Sequence, residues 1–218
     1  MKYKKYELNN YNLYTIYTDR FKTINFRVNI RVKYEKECDK YFPLLWRMLV
    51  RTSSKYDSLK EINRACAKVY DPYFSVRSIE SGGEIILSLS GSFINEKYTE
   101  EGMNEKSLQF FLKFIFEPNV EDNKFFVQAF NNAKNILKED IESFEDVPSR
   151  MAFSRLYQNM CPDSPISYRP TGYIEDLEKI TPENLYEYYL DVLKNDIIDI
   201  FVVGDVKAND IKQVVNKL

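Results

Sequence analysis

Residues 24–32, which read INFRVNIRV, decide the fold class of this 218-residue chain. Apolar side chains occupy every even-numbered position of the segment, and asparagine or arginine occupies every odd-numbered one. A period of two residues is typical of a β-strand that buries one face and leaves the other in water, as in an antiparallel sheet. Two shorter extended patterns precede it, at residues 6–8 and 13–17. The chain therefore opens with three predicted strands.

The remaining segments alternate between helical and extended patterns. Paired glycines, Gly82-Gly83, separate two alternating runs at residues 73–79 and 84–93, which is typical of a β-hairpin. Another strand is predicted at residues 197–203, and helices are predicted at residues 40–51, 58–69, 107–116, 121–144, 149–160, 181–193 and at the end of the chain. This order predicts an α+β domain with an antiparallel sheet and helices packed on one face.

Histidine is absent from the sequence. Its absence excludes Ser-His-Asp and Cys-His catalysis, histidine general bases and most catalytic zinc sites. The remaining options are chemistry by carboxylate, lysine or tyrosine side chains, or no catalytic role.

The charge balance argues against two classes of partner. The chain carries 31 Lys+Arg against 33 Asp+Glu, a net charge of -2. Such a balance gives no general attraction to nucleic-acid backbones or anionic membranes. The apolar runs are also too short to cross a bilayer. We expect no nucleic-acid partner and no membrane partner.

The cysteines, Cys38, Cys66 and Cys161, are odd in number and widely spaced, and no C-x-x-C pair is present. This usage favours reduced thiols over a disulfide scaffold or a zinc knuckle. We therefore expect the cysteines to be inert core residues, and we expect a cytoplasmic location.

Residues 41–52, which read YFPLLWRMLVRT, carry a resemblance to a known family. The segment is similar to the motif helix of the pitrilysin/insulinase-like metallopeptidases, the inverted zincins. These enzymes carry H-x-x-E-H, then an apolar stretch and a Gly-Thr. Thr52 matches that threonine, with Lys55-Tyr56 beyond it, whereas Arg51 stands in place of the family's glycine.

The same register identifies the degenerate motif. Counting back from Thr52, the family's two zinc-binding histidines fall on Phe42 and Trp46, and its glutamate base falls on Leu45. We call Phe42, Leu45 and Trp46 the motif positions. These side chains have no lone pairs for a metal, so we expect packing residues there and neither a metal nor a cofactor.

Four later stretches resemble the family in order and spacing. Residues 134–148 are similar to the helix that brings the third zinc ligand, and residues 171–177, 180–185 and 201–206 are similar to its glycine turn, its I-T-x-E-x-L helix start and its V-G-D-V turn. The resemblance places Glu139, or Asp140 one residue on, at the third ligand. We expect Glu139 to be a solvated helix residue.

The resemblance also implies a peptide-binding strand. In the family, the strand equivalent to residues 73–79 lies near the zinc and takes up substrate as an added strand. Here it contains Tyr73, Phe74, Ser75, Val76 and Arg77, and Phe74-Ser75 replaces the family's usual Asn-Ala pair. A peptide-binding edge and an ordinary sheet edge both remain open.

The implied fold is one half of the two-domain insulinase-like metallopeptidase fold. Residues 1–218 match a single N-terminal domain, and we expect the natural protein to continue into a second one. The implied function is that of a non-catalytic subunit, which pairs with an active H-x-x-E-H homologue and helps to bind extended peptides. One alternative is a scaffolding subunit with no peptide role. Another is a hydrolase that uses only carboxylates, although no convergent pair is visible.

Overall fold

The computed structural model describes residues 3–8, 11–33, 39–81 and 83–217. Its strands are β1 (Lys4–Glu7), β2 (Asn12–Tyr17), β3 (Thr23–Lys33), β4 (Tyr73–Ser81), β5 (Glu84–Ile94), β6 (Val120–Glu121), β7 (Lys124–Phe125) and β8 (Ile197–Gly204). Six of them form one sheet in the order β1-β2-β8-β3-β5-β4, while β6 and β7 form a separate small hairpin.

The helices within the described ranges are α1 (Phe42–Leu49), α2 (Leu59–Ala67), α3 (Met103–Phe116), α4 (Val127–Glu142), α5 (Pro148–Met160), α6 (Ile174–Leu177), α7 (Pro182–Asn195) and α8 (Ala208–Val215). The apolar sides of these helices, except α5, form one core with the even-numbered side chains of β3, which are nearly inaccessible to solvent. The odd-numbered side chains of β3 are exposed or half-buried. The α+β class is therefore confirmed, and we call the other side of the sheet the open face.

The sheet departs from an all-antiparallel arrangement at one pair of strands. Strands β2 and β8 run parallel, whereas the other neighbours in the six-stranded sheet run antiparallel. Strand β8 inserts between β2 and β3 after the chain has passed through the helices. Such a long crossover is what a parallel pair requires, and alternation within a single strand does not reveal it.

The predicted start of the long helix at residues 121–144 is wrong. Residues 120–125 form the β6–β7 hairpin instead, and α4 begins at Val127. At the turn, Asp122 and Asn123 have φ values of 51° and 59°. Two successive positive φ values are typical of a type I′ turn, which Asp and Asn tolerate better than most residues.

Two sequence features fall partly outside the described ranges. Cys38 lies outside the described ranges, so the expectation of an inert thiol at that position is not described. Gly82, one of the two glycines of the expected hairpin turn, also lies outside them. Cys66 is half-buried and Cys161 is exposed, so the expectation of a core position is wrong for Cys161, which lies in a polar segment at the end of α5; both residues are free thiols. Burial raises the pKa of the Cys66 thiol, which makes it less reactive.

No helix in the described part is long and apolar enough to span a bilayer.

Candidate functional site

Helix α1 carries the three motif positions and is buried along most of its length. Pro43 fits the first turn, where its missing N–H leaves no intrahelical hydrogen bond unmade. Phe42 is 3% exposed and Leu45 is fully buried, while Trp46 is half-buried at the edge of the core. Phe42 also contacts the ring of Tyr188 edge-on, with centroids 6.2 Å apart. The motif positions therefore serve packing.

These residues do not fit a zinc ion. Phe42 and Leu45 have no donor atoms, and the indole of Trp46 is not a zinc ligand. Across the described residues, no three His, Cys, Asp or Glu side chains lie close enough together to hold a metal. The helix that carries the family's metal-binding motif has become part of the hydrophobic core.

An ion pair joins α1 to α4 beside the motif positions. Nη2 of Arg47 lies 2.6 Å from Oδ2 of Asp140, and Nη1 donates to the carbonyl oxygen of Pro43 at 2.8 Å. The guanidinium also lies 4.2 Å from the ring centroid of Trp46. Burial lowers the pKa of Arg47, and the hydrogen bond to Asp140 opposes that shift. The link is a cation held between the two helices that share a metal in the family's active members.

The two candidates for the third-ligand position point in different directions. Glu139 is exposed, in the orientation expected of a solvated helix residue. Asp140 is half-buried and reaches α1 through Arg47. One residue along an α-helix rotates the side chain by about 100°, so only one of two neighbours can face α1. Of the two, Asp140 is the residue that contacts α1, and the assignment of the third-ligand position stays a prediction.

Strand β4 lies where the resemblance places the substrate strand. It packs against α1 on one side and pairs with β5 in the sheet. Its other edge has no strand partner among the described residues. Backbone N–H and C=O groups along such an edge can pair with an extended peptide.

The side chains of β4 alternate between the core and the open face. The ring of Phe74 lies 5.3 to 6.3 Å from those of Phe110, Phe111 and Phe114, and Val76 packs against the same core. Tyr73 is 69% exposed and Arg77 is exposed, whereas Ser75 lies 3.3 Å from the hydroxyl of Ser90. Phe74 fixes the strand to the helices, so contacts to a ligand fall to the open-face residues.

The position of β4 depends on Gly91 in the neighbouring strand. A Cβ atom at Gly91 would lie 2.6 Å from the ring of Phe26 and 2.7 Å from the backbone oxygen of Tyr73. We expect Gly91→Ala to lower the free energy of unfolding by about 1–2 kcal/mol because the ring and the β4 backbone must both move.

Urea denaturation measures that loss, and amide hydrogen exchange locates it. We expect faster exchange in β4 than in β3 or β8. The matched control is Ser92→Ala, whose side chain lies on the open face, with an expected change within about 0.5 kcal/mol. Equal losses in the two variants would show that no close contact at Gly91 holds the strand.

Comparison with known proteins shows what this chain resembles. No protein-family model matches the chain. It is 28% identical to a protein of Bacillus subtilis (strain 168) named probable inactive metalloprotease YmfF, over 92% of this chain and 47% of that protein. Among solved structures, a conserved protein from Enterococcus faecalis V583 superposes with a TM-score of 0.90 at 23% identity, over 99% of this chain and 52% of that one.

A further solved structure is described as an inactive domain of a peptidase of family M16, from Pseudomonas fluorescens. It superposes with a TM-score of 0.81 at 12% identity, over all of this chain and 50% of that one. The chain is thus similar in sequence to a probable inactive metalloprotease and in fold to an inactive domain of an M16 peptidase. The expected lack of catalytic function agrees with the similarity to an inactive metalloprotease. The chain spans about half the length of the relatives it matches.

Sequence reasoning missed one member of the site, Arg47. The available signal was a charged residue within an otherwise apolar helical run, which indicates a buried charge that needs a partner. Its partner Asp140 lies 93 residues further along the chain, and only the packing of α1 on α4 brings the two together.

Proposed function

We propose that this pitrilysin-like homologue is the non-catalytic partner of an active peptidase that carries an intact H-x-x-E-H motif. The observation that carries the proposal is the combination of a preserved fold with motif positions filled by core residues. Strand β4 has no strand partner on its outer edge among the described residues, and this edge beside α1 can pair with an extended peptide.

The proposed contribution to peptide binding is main-chain pairing along β4. Such pairing does not require a metal, so it can persist after the zinc ligands are lost. Tyr73, Ser75 and Arg77 are the β4 side chains on the open face, where they would meet alternate side chains of an added strand.

The proposed partner is a separate active homologue, and the proposed location is the cytoplasm. The half-length matches support a need for a second homologous domain, because the similar proteins are about twice as long as this chain. The free thiols of Cys66 and Cys161 support a reducing compartment.

Affinity capture of the full natural protein from its own cells, followed by mass spectrometry, tests the pairing. We expect a near-stoichiometric homologue with an intact H-x-x-E-H motif, absent from a capture with the tag alone. Light scattering on the purified pair should give the mass of a one-to-one complex. Recovery within a larger assembly without a peptidase homologue would favour the scaffolding alternative, and recovery of the chain alone would contradict the proposal.

A further inference from the structure

A trough with both polar and apolar walls runs along β5 on the open face of the sheet. Its floor is formed by small residues, Ser90, Gly91 and Ser92, and its cavity has a volume of about 550 Å³. The walls are formed by Asn25, Arg27 and Asn29 of β3, by Tyr73, Ser75 and Arg77 of β4, and by Phe201 and Val203 of β8. We call this feature the β5 trough.

Two guanidinium groups stand on opposite walls of the β5 trough. In the strand register, Arg27 lies opposite Ser90 from the β3 side, and Arg77 lies opposite Ser88 from the β4 side. Strands β3 and β4 are both neighbours of β5, so their backbones are about 10 Å apart. An anionic group above Ser90 would therefore have an arginine on each side.

Neither of these arginines is neutralised by a residue that the structure describes. The neighbouring Arg31 shows the contrast, since its Nε lies 2.8 Å from Asp199 and its Nη1 lies 3.7 Å from Glu84. Among the described residues, Arg27 and Arg77 have neither an ion-pair partner nor a hydrogen-bond partner. Both are exposed on a chain whose net charge is negative. The β5 trough is thus locally cationic.

Unmet hydrogen-bonding capacity coincides with this charge. The hydroxyl of Ser88, which is fully buried, has no partner among the described residues, and neither has the side-chain oxygen of Asn29. These two residues lie opposite each other in the register, and Arg77 flanks Ser88 on its other side. Of the two, only Asn29 lines the β5 trough, and its side-chain oxygen can accept a hydrogen bond from a backbone N–H of a bound peptide.

We propose that the β5 trough binds a carboxylate side chain of an extended acidic peptide. A carboxylate accepts the forked donors of arginine and the hydroxyl of a serine, which are the groups that this trough presents. The cavity holds a few side chains, and an extended chain leaving it toward β4 reaches the free strand edge. The inference rests on the proposed peptide role and adds that the favoured peptides are acidic.

Fluorescence anisotropy with labelled, unstructured peptides tests the charge preference. Three peptides of equal length carry glutamate, glutamine or lysine at the same alternating positions, at low and at physiological salt. We expect the glutamate peptide to bind about tenfold more tightly than the glutamine peptide, with a preference that weakens as salt rises. We expect the lysine peptide to bind most weakly.

Matched charge-neutralising variants locate the site. Arg27→Gln combined with Arg77→Gln should abolish the preference for glutamate while leaving binding of the glutamine peptide unchanged. The control combines Arg64→Gln with Lys68→Gln, which removes the same charge from a separate cleft between α2 and α3. This control should retain the preference, and thermal denaturation of both variants checks their folding.

The possible results separate this inference from the function on which it rests. Equal binding of all three peptides would keep the peptide role and overturn the acidic preference. If the control variant Arg64→Gln/Lys68→Gln lost the preference for glutamate, the acidic peptide would bind in the α2–α3 cleft. That result would overturn the assignment of the site to the β5 trough. Tighter binding of a single-stranded oligonucleotide than of the glutamate peptide would overturn the peptide as ligand. Failure of every peptide to bind would overturn the inference and the peptide role, while the pairing proposal keeps its own test.

Discussion

Replacing Leu45 with glutamate is expected to unfold the domain, although it restores the residue type of the family's general base. Leu45 is fully buried, so the variant loses an apolar contact and places a carboxyl group in the core. We expect the free energy of unfolding to fall by about 4–5 kcal/mol or more, which is comparable to the whole stability of a typical domain. Chemical denaturation followed by circular dichroism measures the loss.

Glu139→Gln provides the control for this result. It changes a carboxyl group at the other position assigned to the family's site, but Glu139 is exposed on α4. We expect a change within about 0.5 kcal/mol. A Leu45→Glu variant that loses less than about 1 kcal/mol would show that this position is a vestigial polar site and not part of the core.

Removing the carboxylate of Asp140 is expected to produce the second large effect. Asp140→Ala leaves the guanidinium of Arg47, a residue only 7% exposed, without its ion-pair partner. A buried charge without a partner lowers the free energy of unfolding. The loss is smaller here because the Asp140 side chain is partly exposed, so the ion pair is only partly buried. We expect a decrease of about 2–3 kcal/mol in the free energy of unfolding.

The Arg47→Met variant and the double variant complete a thermodynamic cycle. Methionine keeps much of the packing against Trp46, so we expect Arg47→Met to lose about 1 kcal/mol or less. With Arg47 already replaced, Asp140→Ala should cost less than about 0.5 kcal/mol. Equal losses from Asp140→Ala in the two backgrounds would show that the ion pair does not link α1 to α4.

Local patterns in the sequence were enough for most elements of the fold. The alternation at residues 24–32 is strand β3, and the paired runs after it are β4 and β5. The helix expected at residues 181–193 is α7, where Thr181 and Asn184 form a capping box. Each of these signals arises from residues close together in the chain, which is why a single sequence reveals them.

Features that depend on distant residues could not be predicted in the same way. The parallel pairing of β2 with β8 and the contact of Arg47 with Asp140 join segments that are far apart in sequence. The β5 trough has the same origin, because Arg27 and Arg77 become neighbours only through the order of the strands. Helix periodicity also failed at residues 120–125, where a short hairpin replaced a helical turn.

The proposed pairing is tested by the rate at which a homologue with an intact H-x-x-E-H motif cleaves an unstructured peptide, with and without this chain. We expect this rate to rise about tenfold or more and to saturate at one chain per homologue. The rise should survive Glu139→Gln in this chain and disappear when the glutamate of the homologue's motif is replaced. A homologue whose cleavage rate is unaffected by this chain would contradict the proposed pairing.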